Sequence, residues 1–262
     1  MATKLQSEVG PVVLVRDLWV GYDHEPALEA LTFELPPGAL VGLAGPNGSG
    51  KSTLLKTLLG LLNPWRGHIE LFGRPVGVER RRVGYAPQAE LVDWDFPATV
   101  GDVVMMGRYG RVGLLRRPGA DDREAVARAL AQVSLSDLAE RQIGELSGGQ
   151  QRRMLIARAL AQETELLLLD EPLVGLDATS QHDLLTLFEA LRSQGQTLLV
   201  ATHDLSCVAA CFDLSLLLNR RLVAFGPPAE ILTPELLSEA YAEHLLLLPT
   251  EGGVYVEHHG HG

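Results

Sequence analysis

A glycine-rich octapeptide, here called the phosphate loop (residues 45–52), carries the residue types that bind a polyphosphate. It matches the pattern G-x-x-x-x-G-K-[ST] without a gap, as Gly45, Pro46, Asn47, Gly48, Ser49, Gly50, Lys51 and Ser52. Glycines let backbone N–H groups turn toward phosphate oxygens, the lysine reaches the β- and γ-phosphates, and the final hydroxyl is a ligand for Mg²⁺. The pattern therefore predicts a nucleoside triphosphate site in which Lys51 contacts phosphate and Ser52 contacts the metal ion.

The segments on either side of this loop have the patterns of a strand and a helix, between which a phosphate-binding loop lies. The apolar run 39–44 predicts a buried strand that leads into the loop, and residues 53–62 have the pattern of a helix that leads out of it. The N-terminus of such a helix adds partial positive charge beside the phosphates. We therefore expect Thr53, the first residue of that predicted helix, to belong to the nucleotide site.

A pair of carboxylates at the end of a second apolar run has complementary chemistry. Residues 166–169 predict a buried strand, and Asp170 and Glu171 follow it directly. In a parallel sheet such a strand delivers charged groups to its carboxyl edge, where a phosphate-binding loop also lies. We expect Asp170 to hold Mg²⁺, directly or through water, and Glu171 to polarise the attacking water in hydrolysis.

Length and composition are those of an ordinary globular protein. The chain has 262 residues, of which 46% are hydrophobic and 21% charged, and this is enough for one large α/β domain or a core with a subdomain. The formal charge of -11 argues against broad binding to nucleic-acid backbones. The apolar runs are too short to span a bilayer, and no apolar signal region follows the N-terminus, so we expect a cytosolic protein.

The order of the predicted elements indicates an α/β fold. Residues 12–34 alternate between apolar and polar types and contain turn signals, which predicts antiparallel strands. Helical patterns dominate residues 89–155. The predicted elements on the two sides of that region are strands 67–72, 82–86, 166–169 and 197–201 and helices 181–193 and 204–211. Strands that alternate with helices imply a mostly parallel sheet.

The remaining motifs complete a recognisable set. The set consists of the phosphate loop, Gln88, Leu146, Ser147, Gly148, Gly149, Gln150, Asp170, Glu171, Gly175, Leu176, Asp177 and His203. Together they resemble the ATPase subunit of an ABC transporter, in the expected order and over nearly the whole chain. The resemblance implies the cofactors ATP and Mg²⁺. It also implies a P-loop NTPase (RecA-like) core with a mostly parallel sheet, an N-terminal antiparallel β subdomain and an inserted α-helical subdomain.

The resemblance also implies domain limits and a dimer. We expect an ATP-binding core over 11–88 and 156–240, a helical insertion over 89–155 and a C-terminal tail over 241–262. Two chains would close head to tail around two ATP molecules, so that each nucleotide also contacts a short turn of the second copy. The residues of that turn are Ser147, Gly148, Gly149 and Gln150. A helix N-terminus preceded by serine and glycines is an anion site in its own right.

Other roles are assigned residue by residue from the same resemblance. His203 would hold the γ-phosphate or the attacking water, and Gln88 would link Mg²⁺ and that water to the insertion. Asp177 would act across the dimer interface, and Tyr22 would stack on adenine. Leu173 departs from the small or hydroxyl residue that the family often has at this position, and we expect it to affect local packing rather than hydrolysis.

The segment after Gln88, here called the docking segment (residues 92–110), is similar to that of ATPases from importers of manganese, zinc and ferrous iron. The likeness continues through Arg116, Arg117 and Pro118. In the family a helix of the membrane subunit docks here, on the cytoplasmic face of the membrane. Five side chains could line an apolar groove for that helix, or could instead form the insertion's own small core. They are Trp94, Phe96, Met105, Met106 and Tyr109.

Two clusters leave alternatives open. Cys207 and Cys211, with His203, suggest a metal site, but two small apolar side chains on a buried helical face are the simpler interpretation. His258, His259 and His261 beside Glu257 suggest a metal-sensing tail, although such tails are also found solvated or left over from expression.

The sequence thus predicts an ATP-hydrolysing subunit, peripheral to the cytoplasmic face of the membrane, that energises import of divalent metal ions. Manganese is the first expectation, with zinc or iron as alternatives. Its partners would be a second copy, integral membrane permease subunits and, indirectly, an extracytoplasmic metal-binding protein, with no nucleic acid. The rival hypotheses are the same motor with haem or a siderophore as cargo, a soluble ABC-type ATPase of DNA repair or ribosomes, and a nucleotide-binding protein with an inactive site.

Overall fold

The computed structural model describes residues 10–113, 116–241, 245–250 and 253–258. The strands are β1 (Val13–Tyr22), β2 (Glu25–Leu35), β3 (Leu40–Ala44), β4 (Arg66–Leu71), β5 (Arg74–Pro75), β6 (Val83–Ala86), β7 (Leu166–Asp170), β8 (Thr197–Thr202), β9 (Leu214–Asn219), β10 (Arg221–Gly226), β11 (Leu245–Thr250) and β12 (Gly253–His258). The helices are α1 (Lys51–Leu58), α2 (Val100–Met106), α3 (Tyr109–Val112), α4 (Ala120–Gln132), α5 (Gly148–Leu160), α6 (Ala178–Ser193), α7 (Leu205–Cys211), α8 (Pro228–Ile231) and α9 (Pro234–Tyr241). These elements form two units, one comprising the described residues up to Val78 and from Ala201 on, the other Glu79–Val200.

The first unit contains an antiparallel sheet with the strand order β2-β1-β4-β5. Val13 on β1 lies opposite Leu35 on β2 and Leu71 on β4. The hairpin between β1 and β2 turns through Asp23 and His24, both with positive φ, of 45° and 73°. Two positive φ angles are what a tight hairpin with right-handed twist requires. The antiparallel strands predicted from the alternation in residues 12–34 are therefore present.

The same unit contains the strand and helix that flank the phosphate loop. β3 is buried at every residue and pairs in parallel with β9, which pairs antiparallel with β10. The helix after the loop was predicted over 53–62, and both of those limits were wrong. α1 begins at Lys51 because the left-handed Gly50 is its N-cap, and it ends at Leu58, just before the left-handed Gly60.

The second unit combines a parallel strand pair with the helices. β6 pairs in parallel with β7, with Ala86 opposite Leu169, and the predicted insertion 89–155 lies within this unit. α2 begins with a capping box in which the Thr99 hydroxyl accepts from the Asp102 N–H and the Asp102 carboxylate accepts from the Thr99 N–H. The buried apolar side chains of the predicted insertion include Val100, Val103, Val104, Ala125, Val126, Ala129, Leu130, Ile143 and Met154.

A buried arginine fixes the end of the docking segment within this unit. Arg108 donates to Asp122 on α4 at 2.9 Å, to Glu163 at 2.8 Å and to the carbonyl oxygen of Ala161, after α5, at 2.7 Å. The hydrogen bond from Arg108 is the largest of the effects that lower the pKa of Glu163. The docking segment is thus tied to both α4 and the end of α5.

The C-terminal residues described by the structure form an antiparallel pair. β11 pairs with β12, with Leu245 opposite His258. Of the predicted histidine cluster, His258 ends β12, while His259 and His261 lie outside the described residues. Among the described residues, no helix combines the length and the apolar character that a bilayer-spanning helix needs.

Candidate nucleotide-binding site

The phosphate loop connects β3 to α1, and two of its glycines occupy positions where a side chain does not fit. A Cβ at Gly45 would lie 2.1 Å from the carbonyl oxygen of Leu218. A Cβ at Gly50 would lie 2.3 Å from Cδ2 of Leu28, and the φ angle of Gly50 is +99°. The close approach and the left-handed backbone both require glycine. The loop thus has the compact form in which backbone N–H groups surround an anion.

Lys51 lies inside this loop rather than in solvent. Its Nζ donates to the carbonyl oxygen of Gly45 at 2.7 Å and to that of Pro46 at 3.0 Å, and the residue is 7% exposed. A buried ammonium group needs oxygen partners, and here the loop's own carbonyls provide them. The positive charge is therefore held against the loop, within the segment that is predicted to bind phosphate.

Two hydroxyl residues complete the loop. The Oγ of Ser49 is buried and has no hydrogen-bond partner in the part of the chain that the structure describes. Ser52, the second residue of α1, is half-buried. A buried hydroxyl without a partner is costly, and a ligand oxygen in the loop could supply the missing hydrogen bond. The loop residues therefore fit a phosphate group.

Tyr22 and His203 belong to the same unit. Tyr22 ends β1 with its side chain exposed, as a ring that stacks on a base must be. His203 follows β8, and Asp204 caps α7 by accepting from the N–H of Cys207 at 3.0 Å. Burial, and after it the neighbouring Cys211, raises the pKa of Cys207 to about 12, so its thiol stays protonated. Among the described residues, no three His, Cys, Asp or Glu side chains are grouped to hold a metal ion.

The carboxylate pair lies at the end of β7 in the second unit. Asp170, the last residue of β7, is 2% exposed, and its Oδ2 accepts a hydrogen bond from the hydroxyl of Tyr85 at 3.5 Å. Burial, followed by the charge of Asp170, raises the pKa of Tyr85 to about 12, so the phenol remains a donor. Glu171 has a φ of +53°, a strained conformation of the kind that clusters at functional sites.

The structure brings Gln88 to the same sheet edge as the carboxylates. β6 and β7 run in parallel with Ala86 opposite Leu169, so the residues that follow these strands emerge on one side. Gln88 follows β6 by two residues and precedes a 3-10 turn over Ala89–Leu91. Gln88, Asp170 and Glu171 therefore share one edge of this strand pair. The contribution of Tyr85 was missed, because only the strand register reveals it.

The turn at residues 147–150, here called the signature turn, opens helix α5. Ser147 is the N-cap, and its N–H donates to Oε1 of Gln150 at 3.0 Å while the N–H of Gln150 donates to Ser147 Oγ at 3.4 Å. Ser147 and Gly148 are exposed. The capping box orders the exposed N-terminus of a helix of 13 residues, and a helix N-terminus with free N–H groups is a general type of anion site.

Asp177 has a local partner that the sequence did not reveal. It is the N-cap of α6, where its Oδ1 accepts from the N–H of Ser180 at 3.0 Å and its Oδ2 from the hydroxyl of Ser180 at 2.8 Å. These hydrogen bonds, the backbone one first, lower the pKa of Asp177, so the carboxylate is ionised. A Cβ at Gly149 would lie 3.5 Å from Cδ2 of Leu176, so α5 and α6 begin side by side. Leu173 is buried, in line with a packing role.

The docking segment exposes part of its apolar surface. Phe96, Met106 and Tyr109 are 52%, 38% and 54% exposed. Trp94 and Met105 are half-buried, and the indole N–H of Trp94 donates to the carbonyl oxygen of Ala89 at 3.0 Å. Their exposure disfavours the alternative that Phe96, Met106 and Tyr109 form the insertion's own core and leaves the groove interpretation open for them. Exposed apolar side chains that form a contiguous patch mark interaction sites.

Comparison with known proteins agrees with this geometry. The family model described as ABC transporter matches residues 28–174. The chain is 44% identical over 248 residues to the manganese transport system ATP-binding protein MntB of Halalkalibacterium halodurans, with 95% of this chain and 99% of that protein covered. It is 46% identical over 229 residues to the zinc transport system ATP-binding protein TroB of Treponema pallidum, with 87% and 86% covered.

Solved structures support the fold class. A metal-chelate type ABC transporter in an inward-facing conformation has a TM-score of 0.80 and 33% identity, with 94% of this chain and 96% of that chain covered. The ATP-binding cassette MJ1267 in its ADP conformation has a TM-score of 0.78 and 23% identity, with 89% and 99% covered, and supports the fold alone. The predicted α/β class, with parallel strand pairs and an antiparallel sheet, is confirmed.

Proposed function

This chain belongs to the ABC transporter family, and we propose that it is the ATP-hydrolysing subunit of an importer of divalent metal ions. The observation that carries the proposal is a complete phosphate loop in a chain that aligns nearly end to end with manganese and zinc transport subunits. Manganese is the first candidate, because several relatives at 43–46% identity are named as subunits of manganese transport systems, whereas one at 46% identity is named as a zinc transport subunit. Zinc and iron are the alternatives.

The phosphate-loop residues would bind the triphosphate of ATP. Three properties support this: glycine positions that exclude a Cβ, the buried ammonium group of Lys51, and the hydroxyl of Ser49 without a partner among the described residues. For Mg²⁺, Ser52, Asp170 and Gln88 would provide hydroxyl, carboxylate and amide oxygens, which this ion prefers. When bound, Mg²⁺ neutralises charge on the transferred phosphoryl group.

Hydrolysis requires the chain to orient one water molecule and to accept its proton. We assign this to Glu171, which directly follows the strand that ends in Asp170. Tyr85 would orient the carboxylate of Asp170 through its hydrogen bond. His203 would contact the γ-phosphate, and Tyr22 would stack on adenine. The roles of Glu171, His203 and Tyr22 are carried over from the family to the matching residues of this chain, whereas that of Tyr85 rests on its hydrogen bond.

The functional unit of such ATPases is a dimer that works with membrane permease subunits. We propose that the signature turn of each copy closes over the ATP held by the phosphate loop of the other, with Asp177 at the interface. The exposed N-terminus of α5, which the signature turn opens, supports this role. Closure would move the docking segments and the permease helices that they contact, and hydrolysis would reopen the pair. The permease would hold the chain at the cytoplasmic face of the membrane, with an extracytoplasmic metal-binding protein on the other side.

The docking segment offers a direct test of the permease contact. The double substitution Phe96→Ser and Tyr109→Ser should abolish co-purification with the permease subunits and metal uptake, because it removes two exposed apolar side chains. The ATPase rate of the purified chain should stay within about twofold, since surface substitutions away from the site change little. A matched control replaces Leu61 and Val78, which are also exposed, by Ser. Equal losses in the control, or unchanged co-purification in the test variant, would contradict the docking role.

Uptake by the assembled complex tests the proposed cargo. Vesicles that contain this chain and its permease, supplied with the binding protein, should take up radioactive Mn²⁺ only when ATP is present on the side of this chain. If Zn²⁺ or Fe²⁺ is taken up as fast as Mn²⁺, the cargo would be assigned to divalent metal ions in general rather than to manganese. Uptake of haem or a siderophore with none of the three ions would contradict it. If the rate of ATP hydrolysis is the same with and without the permease, a non-transport ATPase would be the better assignment.

A further inference from the structure

We propose that Arg152 is a positioning residue that fixes the signature turn relative to the segment after Gln88 by pairing with Glu90. This inference rests on the proposed function, because it assigns a task to a residue of the same ATPase cycle. None of the motifs in the sequence includes Arg152 or Glu90. Their meeting becomes visible only in the folded second unit, in which both residues lie.

The guanidinium of Arg152 bridges two parts of that unit. Its Nη2 lies 3.1 Å from Oε1 of Glu90, and its Nη1 donates to the carbonyl oxygen of Gly148 at 3.3 Å. Glu90 belongs to the 3-10 turn that directly follows Gln88, and Gly148 is the first helical residue of the signature turn. One side chain therefore connects the neighbour of a proposed Mg²⁺ ligand to the turn that would contact the partner's nucleotide.

A third segment lies against the same guanidinium. A Cβ at Gly175 would be 3.5 Å from Nη2 of Arg152, so the loop that leads to Asp177 passes directly beside it. The Arg152 side chain is 12% exposed, while that of Glu90 is 66% exposed. The planar fork of arginine suits such multiple contacts better than a lysine ammonium does. Arg152 thus contacts the 3-10 turn after Gln88 and the signature turn, and it lies beside the loop that leads to Asp177.

Two physical roles for Arg152 predict opposite results when Glu90 is neutralised. If Arg152 acted by its charge on the nearby phosphates, removal of the Glu90 carboxylate would strengthen ATP-driven dimer closure, because less of that charge would be compensated. If Arg152 acts by position, the same change releases the side chain and weakens closure. The contacts to Gly148 and beside Gly175 favour position, since they direct the guanidinium into the protein.

The test measures the ATP concentration for half-maximal dimerisation, by light scattering of the full chain in a Glu171→Gln background that slows hydrolysis. Glu90→Gln and Arg152→Gln should each raise this concentration about fivefold, the value expected for loss of one partly exposed ion pair. The double variant should be no worse than either single one, since both remove the same interaction. Arg152→Lys should recover part of the loss, and binding of ATP by the monomer should be unchanged.

A second ion pair on the same helix is the matched control. Arg153 pairs with Asp183 on α6 at 2.9 Å, with a carboxylate of similar exposure, but has no contact among those described with the segment after Gln88. Asp183→Asn should leave ATP-driven dimerisation unchanged. If Arg152→Gln fails to fold, Glu90→Gln still decides, because its side chain is exposed.

The outcomes separate this inference from the proposed function. Tighter dimerisation in Glu90→Gln, additive losses in the double variant, an equal loss in Asp183→Asn, or variants identical to the parent would each overturn the positioning role alone. Failure of the parent Glu171→Gln chain to dimerise with ATP at any concentration would instead count against the proposed function.

Discussion

Replacing Glu171 by Gln is expected to lower kcat for ATP hydrolysis by about 10²–10⁴-fold, the range for loss of a general base. The amide has nearly the same shape but accepts no proton from water. ATP affinity should remain within about twofold, because Glu171 belongs to the proposed catalytic group and not to the phosphate loop. Because Gln is isosteric with Glu, the change tests chemistry rather than folding. Steady-state hydrolysis and equilibrium binding of ATP measure the two effects.

The control for Glu171 is a carboxylate at the opposite end of the same strand. Glu165 directly precedes β7 and pairs with Arg82 at 2.6 Å, far along the strand from Asp170. Glu165→Gln should leave kcat within about twofold, because it changes a partly exposed ion pair of small energetic weight. Hydrolysis by Glu171→Gln at the parental rate would remove Glu171 from the proposed mechanism, whatever the control shows.

The second large effect is expected from Ser147→Asp, with a loss of hydrolysis of about 100-fold or more. Asp caps a helix as well as Ser does, so α5 should keep its N-terminus. The added carboxylate, however, would face the γ-phosphate held by the other copy. A like-charge contact at an interface costs several kcal/mol, which corresponds to a weakening of the association by about 100-fold or more. Monomeric chain should still bind ATP normally, because the phosphate loop is unchanged.

Ser147→Asn is the matched neutral control. Asn also caps helices well and resembles Asp in size, so only the charge distinguishes the two variants. Hydrolysis by Ser147→Asn should remain within about tenfold of the parent, an allowance for one altered hydrogen bond. Equal rates for the Asp and Asn variants would show that no phosphate approaches this turn.

The parts of the fold that the sequence predicted are those specified by local pattern. The buried strand before the phosphate loop and the hairpin of β1 and β2 follow from apolar runs, alternation and turn residues. The helix after the loop was predicted too long, because its apolar pattern continues past the left-handed Gly60. β9 and β10 were not predicted. Most residues of β10 are half-buried, so its sequence lacks the alternation of apolar and polar residues that marks a strand.

The residues of the candidate site also fall into those that local sequence patterns predict and those that only the fold brings together. Lys51, Asp170 and Ser147 belong to contiguous motifs, so their residue types and spacing were sufficient to predict them. Tyr85 meets Asp170 only because β6 and β7 are in parallel register, with residue 85 opposite 168. The pairing of Arg152 with Glu90 joins residues 62 positions apart. Contacts of this kind depend on register and helix packing, which single-sequence patterns do not encode.

The central claim is that each ATP site contains residues of two chains, and a cross-link between different single-cysteine chains tests it most directly. In a background with Cys207→Ser, Cys211→Ser and Glu171→Gln, one chain carries Asn47→Cys and the other Ser147→Cys. With ATP and a short bismaleimide, the mixture should yield a product that contains one chain of each kind, and far less without ATP. A dimer that forms with ATP but gives only products of two identical chains, or none, would contradict the claim.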